Sequence, residues 1–398
     1  MTRVDLDKVG PPIFPMKHFG KNFQHKGLQF AEAVATLVGS IVGVGILGMP
    51  YAVSKVGFLP GVLMLTFLAI LNILLLMMYA ELTLRTKKDH EIPGYGGLYL
   101  GTNTQMAALI IGIVGGYGTI LAFMIAQGEI LHTLFGGNPT MWSLLFFVVG
   151  GYIVYRGVEA VRVLELIMVL GVSIIFFMIG LTAHPHIDYA NLSYSDVNNF
   201  IIPYGVILFA LSGTTVVPQL RQQLRNSEKS FPWVILVACS LVFVMYAAFL
   251  WLTLGVTGAQ TTEVATIGLG HFIGPTMLLL GNTLAFFTIS TSFITLGLSM
   301  RRVFQYDYHF PRFRAWICAM MIPLFLFILG ARNFIGVVGI VGGVLLSIQN
   351  MIVISAYWKA IKNGERKPEF SLGHMRILGT LLLIVFGFGA ILTLLDVI

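Results

Sequence analysis

Long apolar runs that contain almost no charged residues constrain the fold of this chain more than any other feature. The hydrocarbon core of a bilayer is about 30 Å thick, so a spanning helix needs about 20 predominantly apolar residues. Of the 398 residues, 57% are hydrophobic and 10% are charged, whereas a soluble domain keeps about a quarter of its residues charged. The sequence therefore predicts an all-α integral membrane protein embedded in the lipid bilayer.

About eleven runs are long enough to be transmembrane helices. The predicted spans are residues 29–54, 58–84, 104–134, 140–156, 160–182, 198–220, 231–256, 268–300, 313–330, 332–358 and 375–397. They divide the chain into a cytoplasmic tail (1–28), a first repeat of five helices (29–182), a second repeat of five helices (198–358) and an additional helix (375–398).

The distribution of Lys and Arg supports this count independently. With the N-terminus in the cytoplasm, the predicted inner segments hold 22 of the 24 basic residues, and only Lys55 and Arg332 fall outside. Cytoplasmic loops are enriched in Lys and Arg, and one miscounted early span would invert every later loop. The prediction is a multi-pass protein with its C-terminus outside, and its short tails favour the plasma membrane, which in a bacterium is the inner membrane.

The remaining composition argues against several function classes. The net charge of +7 comes from short clusters between apolar runs and not from a basic stripe, so no nucleic-acid partner is expected. The spans hold no paired Asp, HExxH motif or Ser/His pair, so the chain is not expected to be an enzyme or to need a cofactor. The sequence leaves the oligomeric state open.

The first span is interrupted by residues that do not favour a continuous helix. Residues 36–50 read TLVGSIVGVGILGMP, with four glycines and a proline. Gly39 and Gly43 form a small-xxx-small pair, so close helix packing is one interpretation. The other is a discontinuous helix whose free amides and carbonyls line a polar cavity near the bilayer midplane.

The sixth span supplies a second interruption. Residues 203–218 read PYGVILFALSGTTVVP, again with small, polar and proline residues inside an apolar run. Transporters built from inverted repeats place a second broken helix at the corresponding position of their second half. Two broken spans separated by five therefore predict a 5+5 inverted repeat, with a substrate site between helices 1 and 6.

Three stretches carry a family resemblance. The string GSIVGVGILGMPYAVSKVGF resembles the first span of the amino acid/auxin permease family and of the related aromatic amino acid permeases; ILFALSGTTVVPQL resembles their sixth span and TSFITLGLSMRRVF their eighth. The resemblance implies the leucine-transporter type of fold, within the amino acid, polyamine and organocation superfamily. It also implies an amino acid as the small-molecule substrate.

An amino acid would find complementary groups at the two breaks. Free N–H groups at the start of a half-helix suit its carboxylate, and backbone carbonyls and a hydroxyl suit its ammonium, as the resemblance also implies. Tyr117 in span 3 would provide a ring for a bulky side chain, although a lipid-facing packing role is the alternative. The predicted substrate-binding residues are Ile41, Gly43, Val44, Gly45, Tyr117, Phe209, Ala210 and Ser212.

Span 8 carries a cluster of hydroxyl side chains. A hard cation such as sodium requires oxygen ligands, and the resemblance to sodium-coupled members implies the same positions; bridging between helices is the alternative. The predicted sodium ligands are the carbonyls of Gly39, Val42 and Thr288 and the hydroxyls of Thr291 and Ser292. Some proton-coupled relatives place a lysine in span 5 instead, where this chain has Gly171, and this difference favours sodium.

A proton remains the alternative coupling ion because carboxylates occur inside the spans. Glu32, Glu81 and Glu165 lie near cytoplasmic ends, where pairing with loop Arg and Lys is expected. Glu129 lies in the outer part of span 3 and is a candidate gate or proton relay, with simple exposure at the interface as the other interpretation.

The predicted function is secondary active symport of a neutral, bulky or aromatic amino acid by alternating access, coupled to sodium. Two alternatives remain open: a proton-coupled amino-acid permease, and a transporter-like amino-acid sensor without significant flux.

Overall fold

The computed structural model describes residues 26–156, 174–196, 199–306 and 310–397. All regular secondary structure within these ranges is helical. The predicted tail before residue 26 and the part of span 5 at 160–173, with Glu165 and Gly171, lie outside the described residues. The all-α membrane class predicted from the sequence is confirmed, while the count of eleven spans and the division into two repeats stay predictions.

The helices are numbered in chain order. They are α1 (Lys26–Ile41), α2 (Gly45–Ser54), α3 (Phe58–Arg85), α4 (Ile92–Leu100), α5 (Thr102–Phe135), α6 (Pro139–Arg156), α7 (Ile174–His186), α8 (Ile202–Ala210), α9 (Val217–Gln223), α10 (Phe231–Thr257), α11 (Ala265–Ile273), α12 (Pro275–Tyr306), α13 (Arg312–Ile328), α14 (Phe334–Ile340), α15 (Ser347–Asn363) and α16 (Arg376–Val397). A π-helical turn, Val341–Leu346, joins α14 to α15.

Several long helices match the predicted spans closely. Seven helical segments of the described chain are long and apolar enough to cross a membrane, and the bent pair α1 and α2 makes an eighth. Helices α6 and α13, of 18 and 17 residues, coincide with two further predicted spans. The apolar runs were a sound guide because each ends at a glycine, a proline or a cluster of charges that lipid does not accept.

The predicted start of span 8 is wrong. The sequence suggested one helix from residue 268, but α11 ends at Ile273 and α12 begins at Pro275. Gly274 separates them with φ of 122°, a conformation that L side chains rarely adopt. A Cβ on Gly270 would lie 2.6 Å from the Cα of Leu278, so α11 folds back against α12.

Both predicted breaks occur where the glycines and polar residues indicated them. Residues 42–44 are not helical, and α1 and α2 meet there at an angle of 53°. In span 6 the helix stops after Ala210 and resumes at Val217 after a 3-10 turn, Thr214–Val216. The fold thus brings two interrupted helices into the centre of an apolar bundle.

Candidate functional site

The two breaks lie against each other. A Cβ on Gly45 would lie 2.6 Å from the Cα of Ala210, and a Cβ on Gly213 would lie 2.9 Å from the Cγ1 of Ile41. Only glycine at these two positions lets the helices approach this closely. Ile41, Val44 and Ala210 are buried, so the contact between the breaks is enclosed by protein in this conformation.

The amides of the first break are available to a ligand. The amides of Val42 and Leu47 bond the carbonyls of Val38 and Val44, at 2.8 and 3.0 Å. Among the described residues, the amides of Gly43, Val44 and Gly45 donate no hydrogen bond to the backbone. They lie at the N-terminal end of the ten-residue helix α2, where the helix dipole favours an anion.

The carbonyls of the two breaks converge on one side chain. Tyr246 of α10 is fully buried, and its hydroxyl oxygen lies 2.9 Å from the carbonyl oxygen of Ile41 and 2.9 Å from that of Ala210. Ile41 and Ala210 are the last residues of α1 and α8. The negative ends of two helix dipoles therefore point at the same place.

A second polar side chain supports the break in span 6. Asn72 of α3 is 3% exposed, and its side-chain nitrogen donates to the carbonyl of Leu211 at 2.9 Å. Neither Asn72 nor Tyr246 is among the site residues predicted from the sequence. Each is a polar side chain inside an apolar span, where it needs a hydrogen-bond partner. The sequence does not show which residue that partner is.

Seven of the eight predicted substrate residues belong to the two breaks or lie next to them, and the eighth, Tyr117, is on α5. Ile41, Gly43, Val44, Ala210 and Ser212 lie at the two breaks, and Phe209 lies one residue before the end of α8. The amide of Ser212 donates to the carbonyl of Phe209 at 3.1 Å. Gly45 also lies there, but Ala210 occupies the space beside its Cα, so the bare backbone of Gly45 serves helix packing.

Tyr117 is engaged elsewhere. Its hydroxyl donates to the carbonyl of Cys318 in α13 at 2.7 Å, and its side chain is 8% exposed. The hydroxyl is therefore directed at α13 and not at a helix break. The prediction that the Tyr117 ring bounds a substrate side chain stays a prediction.

Helix α12 carries several hydroxyl side chains, and one of them, Ser292, faces the first break. Thr288 donates to the carbonyl of Leu284 at 2.9 Å, and Thr291 lies 3.0 Å from the carbonyl of Thr288. A hydroxyl that donates its hydrogen to the helix still has lone pairs to offer a cation. Ser292 brings α12 close to the first break, since a Cβ on Gly43 would lie 3.9 Å from the Ser292 Oγ.

Of the predicted sodium ligands, Ser292 is thus shown to face the first break. Val42 is buried and Gly39 is exposed in α1. The five positions remain a prediction as a set.

Glu129 lies near the end of α5, at the end of the bundle that is predicted to be the outer mouth. Its side chain is exposed. Burial raises the pKa of Glu263, in the loop before α11, and the charge of Glu129 raises that pKa further, while Lys55 lowers it. The carboxylate of Glu129 and the ammonium of Lys55 thus act on Glu263 in opposite directions.

The opposite end of the bundle, which is predicted to be cytoplasmic, is closed by a polar network. We call these residues the inner clamp: Glu81, Arg85, Asp89, Arg221, Arg225, Glu228, Arg366 and Ser371. Arg221 follows the break in span 6, is 4% exposed, and lies 2.9 Å from Asp89. Arg366, in the loop between α15 and α16, lies 2.6 Å from Glu228.

Glu81 is the most enclosed member of the inner clamp. It is fully buried, lies 2.7 Å from Arg85, and accepts from the Ser371 hydroxyl at 2.8 Å and the Leu372 amide at 2.6 Å. Glu81 thus pairs with an arginine of its own helix, Arg85 at the end of α3, and not with a loop arginine as the sequence suggested. The inner clamp ties α3 and the second half of span 6 to loops of other helices.

Comparison with known proteins agrees with this architecture. A tyrosine-specific transport system of Haemophilus influenzae is 24% identical over 367 residues, which cover 83% of this chain and 88% of that protein. The structure of MhsT in complex with L-phenylalanine matches with a TM-score of 0.64 at 17% identity, covering 95% of this chain and all of that one. A mutant of the manganese transporter of Eremococcus coleocola matches with a TM-score of 0.69 at 12% identity, covering 96% and 89%.

The two solved structures show that this chain has the leucine-transporter type of fold. Fold and paired breaks together define a polytopic membrane transport protein, and the relatives are transporters and not enzymes. The sequence model of the tryptophan/tyrosine permease family matches residues 26–395. The chain belongs to this family, which supports amino-acid transport as its activity.

Proposed function

We propose that the protein is a cation-coupled symporter of a neutral amino acid, with sodium favoured as the coupling ion. It would work by alternating access in the plasma membrane, with the N-terminus in the cytoplasm and the C-terminus outside. One observation carries this proposal: at the two touching breaks, the amides of Gly43 and Val44, which donate to no described backbone carbonyl, precede α2 and lie near the carbonyls that end α1 and α8.

These groups complement the two charges of an amino acid. The carboxylate would accept from the amides of Gly43 and Val44, and the ammonium would donate to the carbonyls of Ile41 and Ala210. Backbone groups would bind both the carboxylate and the ammonium, so no side-chain charge needs to be buried in the apolar bundle. A substrate with both groups on one carbon would span the contact between the breaks.

An aromatic or otherwise bulky side chain fits the comparisons best. One relative is named for tyrosine, and the solved structure of MhsT contains L-phenylalanine. The family name, tryptophan/tyrosine permease, points in the same direction. We therefore propose L-tyrosine, L-tryptophan and L-phenylalanine as the first substrates to test.

The coupling ion would bind between the first break and α12. Thr291 and Ser292 would supply hydroxyl oxygens there, and the carbonyls of Gly39, Val42 and Thr288 would complete a set of hard oxygen ligands. Ser292 lies beside Gly43, so an ion in this place would touch the same break as the substrate carboxylate. Such contact would couple the two binding events.

Replacing Thr291 with alanine is expected to raise the sodium concentration for half-maximal uptake about tenfold, a loss of about 1.4 kcal/mol. The reason is that the variant removes one ligand oxygen. Sodium titrations of L-tyrosine uptake into proteoliposomes would measure the change. Thr66→Ala is the control, because Thr66 makes the same bond to its own helix, to Val62 at 2.7 Å, in α3. An unchanged sodium requirement in Thr291→Ala would remove Thr291 from the ligand set.

Proton coupling is the second candidate, and the outer mouth favours it. Burial and the charge of Glu129 both raise the pKa of Glu263, so Glu263 would hold a proton at a higher pH than an isolated carboxylate. Uptake that is driven by a pH gradient alone, and is lost in Glu129→Gln, would favour this candidate over sodium.

A further inference from the structure

Tyr246 occupies a place that no other described side chain shares, between the ends of two broken helices. Its hydroxyl oxygen is 2.9 Å from the carbonyl oxygens of both Ile41 and Ala210. These carbonyls belong to residues 169 positions apart in the chain, on helices α1 and α8. A single hydroxyl thus spans both breaks.

The hydrogen-bonding capacity of this group is limited. A tyrosine hydroxyl has one hydrogen, so it gives a full hydrogen bond to only one carbonyl at a time. Each carbonyl has two lone pairs, and both end a helix, where orphan acceptors accumulate. Tyr246 therefore fixes the positions of two acceptors without satisfying them, and further donors can bind.

We propose that Tyr246 is the positioning residue for the ammonium group of the substrate. It holds the carbonyls of Ile41 and Ala210 at a fixed spacing, so that an ammonium with its three donors meets a preformed set of acceptors. This inference rests on the proposed function, and it adds the group that makes the site selective for a substrate with a free amine.

Rigidity explains why a side chain performs this role. Tyr246 is fully buried on α10, which packs against both halves of span 1 and against α3. A phenol ring held on all sides places its hydroxyl with little freedom, and a preorganised site loses less entropy when it binds a ligand. Without the hydroxyl, the negative ends of α1 and α8 would repel each other and separate.

The test compares two probes that differ only in the amine. L-phenylalanine carries the ammonium, and 3-phenylpropanoate has the same ring and carboxylate without it. Their dissociation constants are measured on purified protein in lipid nanodiscs at saturating sodium. In Tyr246→Phe, the affinity for L-phenylalanine should fall about tenfold or more, because the carbonyls of Ile41 and Ala210 lose the fixed spacing at which both meet the ammonium. The affinity for 3-phenylpropanoate should stay the same.

Tyr204→Phe is the matched control. Tyr204 is also a buried tyrosine, and its hydroxyl lies 3.0 Å from the Ser347 hydroxyl, away from the breaks. This variant loses one buried hydrogen bond but should keep the wild-type ratio of the two affinities. A ratio is insensitive to partial unfolding, because both probes bind the same folded fraction. If Tyr246→Phe does not fold, Tyr246→His keeps an N–H donor and should retain most of the selectivity.

Two results would overturn the inference. An equal loss for both probes would make Tyr246 a packing residue only, and wild-type affinity for both probes in a folded Tyr246→Phe would show that the ammonium does not depend on it. Failure of the proposed function is distinguishable, because it appears in the wild-type protein, as absent binding of neutral amino acids or as binding without accumulation in proteoliposomes.

Discussion

Gly45→Ala is expected to lower amino-acid uptake about a hundredfold. The added Cβ would lie 2.6 Å from the Cα and 2.8 Å from the Cβ of Ala210, so the backbone of α2 or α8 must move. Overpacking of this kind costs about 1–3 kcal/mol. The shift also displaces the amides and carbonyls that are proposed to bind the substrate, and a misplacement of about 1 Å can reduce activity about a hundredfold. Initial rates of L-tyrosine uptake into proteoliposomes, normalised to inserted protein, would measure the effect.

Two glycine variants separate packing from ligand binding. Gly112→Ala on α5 is the neutral control, since nothing lies within 4 Å of its added Cβ. At Gly43 the added Cβ meets only the Ser292 hydroxyl, at 3.9 Å, so Gly43→Ala should keep the wild-type unfolding temperature. It should still weaken sodium or substrate binding. Wild-type uptake by Gly45→Ala would show that the contact between the breaks is not needed for transport.

Glu81→Ala is expected to destabilise the protein by about 3 kcal/mol, the effect of breaking a buried ion pair by removing one partner. Glu81 is fully buried, and the variant leaves Arg85, the Ser371 hydroxyl and the Leu372 amide without their shared acceptor. The midpoint of thermal unfolding in detergent should fall by several degrees. The inner clamp should also loosen, because Glu81 ties α3 to the loop between α15 and α16.

Glu32→Ala is the matched control for Glu81. Glu32 is an exposed carboxylate on α1, near the same predicted end of the bundle, and its removal should leave the unfolding midpoint unchanged. Equal midpoints for Glu81→Ala and the wild type would show that the inner clamp does not stabilise this conformation.

The sequence was most informative where backbone geometry decides the structure. Glycine, proline and small polar residues inside an apolar run are costly in lipid, so their presence in spans 1 and 6 located both breaks. The break at 42–44 and the one after Ala210 lie within the predicted strings. Charge distribution and apolar length similarly predicted the membrane class.

The sequence was less informative about contacts between distant residues. Tyr246 and Ile41 are 205 positions apart, and Asn72 and Leu211 are 139 apart, so no local pattern joins them. An isolated tyrosine in an apolar span looks the same whether it packs or positions a carbonyl. The separate helix α11 was missed because apolar residues lie on both sides of Gly274 and Pro275, a pair that marks a turn but was read as part of one long span.

The most direct test of the central claim is accumulation by the reconstituted protein. Proteoliposomes with an inward sodium gradient and no pH gradient are given radiolabelled L-tyrosine, L-tryptophan, L-phenylalanine or L-lysine. We expect one or more of the aromatic amino acids to reach an internal concentration above the external one, with L-lysine excluded and the gain abolished when sodium is equal on both sides. Binding of these amino acids without accumulation under either a sodium or a pH gradient would contradict transport.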